Sequence, residues 1–216
     1  MTLESSKNLG GIGAILMFVG ILPYISYFGI IELVGLILVL VALHGLANYY
    51  NEKGIFNNAI YGVIAGIAGF IIAIAVLVFT VLKELVPFLQ TIYPGWNGTD
   101  WNALQGMTPT TSNINFADII PFIAGILLVI AVAWIFAIIA AFFTRRSLKL
   151  LSTKSSVGLF STAGLLLLVG AVLVIIFGIG LILIWISALI LAIAFFTMKP
   201  AEMPAPTATP PPPTSV

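Results

Sequence analysis

The chain contains no cysteine, a single histidine and very little charge. Without cysteine it forms no disulfide bond, carries out no thiolate catalysis and binds no metal through sulfur. A single histidine also excludes a metal site built from several histidines. Only 7% of the 216 residues are charged, whereas a soluble domain carries roughly a quarter of its residues as charged side chains. This composition does not cover a soluble globule.

Motifs of the common hydrolases and nucleotide-binding proteins are missing as well. The sequence has no HExxH, no GxSxG, no Walker loop and no pair of aspartates within an apolar run. A formal net charge of +1 provides no field that would attract nucleic acid. We therefore predict a protein that is not an enzyme and has no catalytic residues, no cofactor, no bound metal and no nucleic-acid partner.

What the sequence does have is long apolar runs, with 61% hydrophobic residues and a mean hydropathy of +1.22. Several runs exceed the ~18 uncharged residues that are typical of a membrane-spanning helix. Residues 9–50 and 157–197 are each too long for one crossing, so each must reverse. We predict an all-α, polytopic membrane protein whose single domain, residues 1–199, is a bundle of six transmembrane helices. The predicted spans are residues 9–28, 31–50, 59–86, 118–143, 157–177 and 180–197, with an outer loop at 87–117 and a disordered, proline-rich cytoplasmic tail at 200–216.

The basic residues predict the orientation of this bundle. Seven of the eight fall on one side of the predicted membrane, and only Lys83 falls on the other. Cytoplasmic loops are enriched in lysine and arginine, so we predict a multi-pass protein of the plasma membrane with both termini cytoplasmic. Half of the basic residues lie within residues 144–156, a segment interpreted as a topological anchor for anionic lipid headgroups first and as a partner-binding site second. These residues are Arg145, Arg146, Lys149 and Lys154.

Two short patterns recur along the chain. Gly-Ile-Phe-Asn-Asn-Ala at residues 54–59 resembles Gly-Leu-Phe-Ser-Thr-Ala at 158–163, and Ala-Phe-Phe-Thr occurs at both 141–144 and 194–197. The pattern predicts three related helical hairpins that each start and end on the cytoplasmic side. The alternative is that apolar sequences, drawn from few residue types, align easily by chance.

Small residues on the third span form a stripe with spacings of three, four, three and four. Such a stripe lets a neighbouring helix approach closely, and we favour packing inside the bundle over a dimer interface. The stripe contains Ala59, Gly62, Gly66, Gly69 and Ala73. Two mid-span tryptophans, Trp134 and Trp185, are interpreted as packing residues, and Trp96 and Trp101 of the outer loop as interfacial anchors.

One polar patch is a candidate for proton sensing or ligand contact. His44 lies near the cytoplasmic end of the second span, and Asn48 lies one helical turn further on. Asn57 and Asn58 lie in the short polar loop that follows this span. The alternative, which we favour, is an interfacial histidine satisfied by water or by a neighbouring helix.

Several segments resemble a known family. Leu-Gly-Gly-Ile-Gly-Ala at residues 9–14, the 54–59 motif, residues 141–148 and the glycine-punctuated run 164–173 are similar to those of an archaeal family of small multi-pass proteins. That family is classed as a domain of unknown function. The resemblance extends to about Lys199 and implies an archaeal membrane protein, without implying an activity or functional residues.

Three functions remain open on these grounds. We favour a non-catalytic membrane component or scaffold that contacts the lipid bilayer and uses residues 200–216 to bind a protein partner. The alternative is a channel or transporter for a small neutral or apolar solute, because a charged substrate would require buried acids that are missing. A lipid-active membrane enzyme is the least favoured.

Overall fold

A computed structural model describes residues 2–20, 29–110, 116–176 and 178–199, without the side chains of Phe116 and Asp118. Within these residues the chain is all-helical, with six long helices, a short 3₁₀ helix at Ala103–Gly106 and no strand. The predicted all-α class and the number of helices are confirmed. The long helices are α1 (Leu3–Gly20), α2 (Ile30–Tyr49), α3 (Lys53–Ile92), α4 (Phe116–Ser155), α5 (Leu159–Leu173) and α6 (Ile179–Thr197).

Four of these helices are long and apolar enough to cross a membrane: α2, α3, α4 and α6. Helix α5 has 15 residues and is apolar but shorter. The described part of α1 begins in the polar residues that precede the predicted first span. Residues 21–28, which complete that span, lie outside the described part of the chain, as do residue 177 and the predicted tail at 200–216.

Helix α3 is longer than predicted. We expected it to end at residue 86, before Pro87, yet the helix continues through Pro87 to Ile92. Proline removes one amide donor and crowds the carbonyl group four residues earlier, which loosens a helix without having to end it. Here the preceding turn is already widened into a π-helix at Leu77–Leu82, where the Thr80 hydroxyl donates to the Val76 carbonyl oxygen at 2.6 Å. The predicted loop at 87–117 is correspondingly shorter.

The six helices form a closed ring. Each helix packs against its neighbours in the chain, and α6 packs back against α1. The ring therefore consists of three consecutive hairpins, α1–α2, α3–α4 and α5–α6. Left-handed glycines, Gly29 with φ 75° and Gly178 with φ 71°, directly precede α2 and α6, so the second helix of the first and third hairpins begins after the same backbone conformation. Common descent of the hairpins remains a hypothesis.

The buried core is concentrated at one end of the ring, which we call the base. The base contains the start of α1, the turns between α2 and α3 and between α4 and α5, and the end of α6. Its fully buried side chains include Leu46, Ile55, Leu151, Phe160 and Phe195. Phe160 and Phe195 pack edge to face with ring centroids 5.1 Å apart. Both belong to the recurring sequence patterns, so at these two positions the pattern specifies core packing.

Candidate functional site

The axis of the ring holds an apolar cavity of about 140 Å³. All six helices contribute to its wall, because the ring encloses the axis without any helix crossing it. One lining residue from each helix, in chain order, is Met17, Leu40, Val63, Leu148, Leu167 and Ile184. The wall therefore offers mainly hydrocarbon surface to anything inside it.

Two hydroxyl groups in the wall are already hydrogen-bonded to backbone. Thr144 donates to the carbonyl oxygen of Ala140 in its own helix at 2.9 Å. Ser187 on α6 donates to the carbonyl oxygen of Ala163 on α5 at 2.8 Å. Since each hydroxyl has one proton, neither has a donor left for a ligand.

Glu32 is the exception in this apolar wall. It lies in the first turn of α2, at the end of the cavity away from the base. Its Oε2 atom is buried and has no hydrogen-bond partner among the described residues. The neighbouring helix leaves room for the carboxyl group only because residue 20 is glycine, where a methyl group would lie 2.8 Å from the carboxyl carbon. Its sequence position, at the start of the predicted span 31–50, predicts a location near the outer boundary of the membrane and gives no sign of a cavity.

A wider apolar groove of about 670 Å³ lies beside the cavity and opens to the outside of the ring. The two spaces share wall residues on α2, α3, α4, α5 and α6, among them Leu36, Val63 and Ile184. The groove opens between α2 and α3, the neighbouring pair with the least extensive contact in the ring. Exposed side chains of Leu33 and Phe70 form its rim.

The contacts between successive hairpins, which we call seams, explain why the groove lies there. At the α4–α5 seam the Trp134 indole donates to the Ala171 carbonyl oxygen at 3.0 Å. At the α6–α1 seam the Trp185 indole donates to the Phe18 carbonyl oxygen at 2.9 Å and stacks on the Phe18 ring. Neither α2 nor α3 contains a tryptophan, and the α2–α3 seam has the open groove instead.

A family model for a protein of unknown function, DUF996, matches residues 31–190. The chain belongs to the DUF996 family. The match begins at the second residue of α2 and ends within α6, so it includes the wall of the groove and nearly all of the cavity wall. The predicted resemblance to an archaeal family of unknown function is confirmed.

A similar curated protein is uncharacterized as well. The chain is 28% identical over 200 residues to uncharacterized protein MJ1644 of Methanocaldococcus jannaschii, covering 92% of this chain and 94% of that protein. No solved structure matches the chain.

In this DUF996 member the small-residue stripe of α3 faces two environments. Gly62 and Gly69 lie against α4, near Thr144 and Phe136, and Ala59 is buried in the base. Gly66 lies on the wall of the groove, with nothing within 4 Å of a methyl group placed on it. Ala73 is half-buried. The glycines predicted to contact one partner helix therefore serve partly to pack α4 and partly to keep the groove open.

The predicted polar patch is brought together only in part. Asn48 Nδ2 lies 3.3 Å from His44 Nε2, and the His44 ring packs edge to face on Phe56. Asn58 instead donates to the Gly54 carbonyl oxygen at 2.6 Å, and Asn57 is exposed. Among the described residues, no group of three or more histidine, aspartate or glutamate side chains could hold a metal ion.

The basic segment of the DUF996 chain is the last part of α4 and packs on the base. Leu148 and Leu151 are buried there, and the buried Ser147 hydroxyl donates to the Ile55 carbonyl oxygen at 2.5 Å. These leucines, which a helix lying along the lipid headgroups would present to the membrane, thus face the protein. Exposed Arg146, Lys149 and Lys154 and half-buried Arg145 point outwards, and Lys154 pairs with Glu52 at 3.4 Å.

The tryptophans of the outer loop differ from each other. Trp96 is buried, and its indole donates to the Asp100 carbonyl oxygen at 2.6 Å, whereas Trp101 is exposed and packs against the Trp96 ring. Asn97 Oδ1 accepts the amides of Thr99 and Asp100. Trp96 therefore has a structural role in the loop, and Trp101 keeps the exposure expected of an interfacial anchor.

Proposed function

We propose that the protein is a non-catalytic membrane protein that binds a hydrocarbon chain in the central cavity and the groove beside it. The observation that carries this proposal is the shared wall of the two spaces. The apolar cavity on the axis of the ring lies beside an apolar groove that opens sideways, between two helices, where the bilayer would lie.

The outer surface of the ring supports the membrane location. Large apolar side chains such as Ile67, Phe70 and Phe79 are exposed there, the last to 76%. A soluble protein rarely leaves such a surface uncovered, and lipid tails would cover it. The base carries Lys7, Lys53 and the basic segment of α4, which supports a plasma-membrane orientation with the base and both termini in the cytoplasm.

The dimensions of the two spaces support a hydrocarbon ligand. An apolar cavity of roughly 150 Å³ in a protein stays free of water and takes up small apolar molecules. The groove falls within the range of about 300–1,000 Å³ that is typical of ligand sites. Apart from Glu32, these walls offer water few hydrogen-bond partners, so a lipid chain that enters from the bilayer is the fitting occupant.

The lateral opening of the groove and the hydroxyls of the wall bear on the two alternative functions, a transporter for a small solute and a lipid-active enzyme. A groove that faces lipid favours a ligand that arrives through the bilayer over a polar solute that arrives from water. The hydroxyls of the wall are bound to backbone, which supports a binding role without catalysis. A scaffold role through residues 200–216 and binding of anionic lipid by the basic segment remain predictions.

Photo-crosslinking tests the proposal. The protein is reconstituted in lipid nanodiscs with a long-chain hydrocarbon that carries a diazirine, and labelled residues are mapped by mass spectrometry. We expect labelling to concentrate on the groove wall around Leu36 and Val63. Gly66→Phe should lower labelling there about tenfold, because the ring fills the groove.

Ile64→Phe is the matched control, since Ile64 is exposed on the same helix and lies outside the walls of the cavity and groove. This variant should leave labelling of the groove unchanged. Uniform labelling of all lipid-facing helices, with no excess in the groove, would refute the proposal.

A further inference from the structure

We infer that Glu32 receives a hydrogen-bond-donating head group, so that the ligand is an amphipathic lipid with one hydrocarbon chain and a donor such as a hydroxyl at its end. This inference rests on the proposed function. It goes beyond that function because an apolar cavity alone selects only for hydrocarbon.

The first argument is the cost of an unpaired carboxylate oxygen. A polar atom that is buried without a partner loses its bonds to water and gains nothing in exchange. Oε2 of Glu32 is in this position among the described residues, while the other polar side chains of the cavity wall, Thr144 and Ser187, are hydrogen-bonded. Oε2 is thus the buried carboxylate oxygen of the wall that has no partner among the described residues, and it lies at a defined place in the cavity.

The second argument is the location of that atom. Glu32 lies at one end of the cavity and Leu43, near the base, at the other. The eleven helical steps from one residue to the other span about 16 Å at 1.5 Å per residue. A molecule that fills this length with its chain towards the base places its head group beside the carboxyl group. Phosphate heads would be repelled by a carboxylate, whereas a hydroxyl or an ammonium group donates to it.

Competition against the crosslinking hydrocarbon tests the inference in nanodiscs of neutral lipid. The competitors are hexadecanol, hexadecyl methyl ether and hexadecylamine, which share one chain and differ in the head group. On the wild-type protein we expect a donor-bearing competitor to be about tenfold more effective than the ether, as one hydrogen bond to a carboxylate provides. An advantage of the alcohol identifies a hydroxyl head, and an advantage of the amine alone identifies a cationic head.

Two variants make the test specific. In Glu32→Leu the three competitors should become equally effective, while the ether should compete as it does on the wild-type protein. In Glu32→Gln an alcohol should keep its advantage, since an acceptor oxygen remains, and an amine should lose its advantage with the charge. Glutamine has nearly the same shape as glutamate, so Glu32→Gln tests the role of the carboxylate even if Glu32→Leu does not fold.

The two proposals fail in different ways. Equal competition by all three molecules on the wild-type protein, or an alcohol advantage that persists in Glu32→Leu, overturns the role of Glu32. Absence of hydrocarbon labelling in the groove overturns the proposed function itself.

Discussion

Gly62 and Gly66 are one helical turn apart on α3, yet a methyl group would meet different surroundings at each. On Gly62 it would lie 2.7 Å from the Thr144 hydroxyl oxygen and 3.0 Å from the Ala140 backbone oxygen. On Gly66 it would meet nothing within 4 Å. The two substitutions to alanine are chemically identical, so a difference between their effects reports the surroundings alone.

The expected difference follows from two contributions to the free energy of unfolding. Replacing glycine by alanine inside a helix stabilises by up to about 1 kcal/mol, and this gain is common to both variants. Overpacking costs about 1–3 kcal/mol and applies only at Gly62. We therefore expect Gly66→Ala to be up to about 1 kcal/mol more stable than the wild-type protein. The free energy of unfolding of Gly62→Ala should be about 1–3 kcal/mol lower than that of Gly66→Ala.

Reversible unfolding in mixed micelles, with increasing mole fraction of a denaturing detergent and detection by tryptophan fluorescence, measures these free energies. Gly69→Ala provides a third point, because a methyl group there would overlap the Phe136 side chain, and it should cost at least as much as Gly62→Ala. If Gly66→Ala is as destabilising as Gly62→Ala, then Gly66 is packed against a neighbour and the groove is closed. That result would refute both the groove and the binding role derived from it.

Two further outcomes are expected. Trp185→Phe removes the hydrogen bond to the Phe18 carbonyl oxygen but keeps a ring that stacks on Phe18, so it should lower the free energy of unfolding by about 1 kcal/mol in the same assay. Trp185→Leu, which loses the ring as well, should lower it further. Equal stability of Trp185→Phe and the wild-type protein would contradict a seam held by the indole. Because the chain lacks cysteine, a single introduced cysteine reports on which side of the membrane its position lies. A membrane-impermeant maleimide should label Thr99→Cys in intact cells and Ser152→Cys only after permeabilisation. The reverse pattern would invert the proposed orientation.

The sequence predicted the number of helices and their pairing into hairpins because both follow from length. Residues 9–50 exceed one membrane thickness, so a reversal was required wherever glycine or proline allowed it. The end of α3 was not predicted, since Pro87 suggests a stop and the π turn before it has no clear signal in an apolar run. Local pairs such as His44 and Asn48 were predictable from their spacing of four.

Ring closure and the cavity could not be predicted. Helices that are apolar on every side carry no pattern that tells which side faces a neighbour and which faces lipid. The sequence therefore identifies Glu32 only as an acidic residue in the first turn of a helix. Its position beside a cavity depends on α5 and α6, more than a hundred residues away in sequence, and hydropathy contains no information about that contact.

The uneven ring has a mechanical consequence. Five of its six contacts are extensive, and the remaining one, between α2 and α3, is bridged at the base by a short turn containing the left-handed Asn51. A ring of helices with one weak contact changes its inner diameter by widening the gap at that contact, while the other helix–helix contacts stay in place. On the proposed function, a thicker ligand would widen the gap between α2 and α3 about residues 50–52, while the tryptophan hydrogen bonds at the other two seams hold.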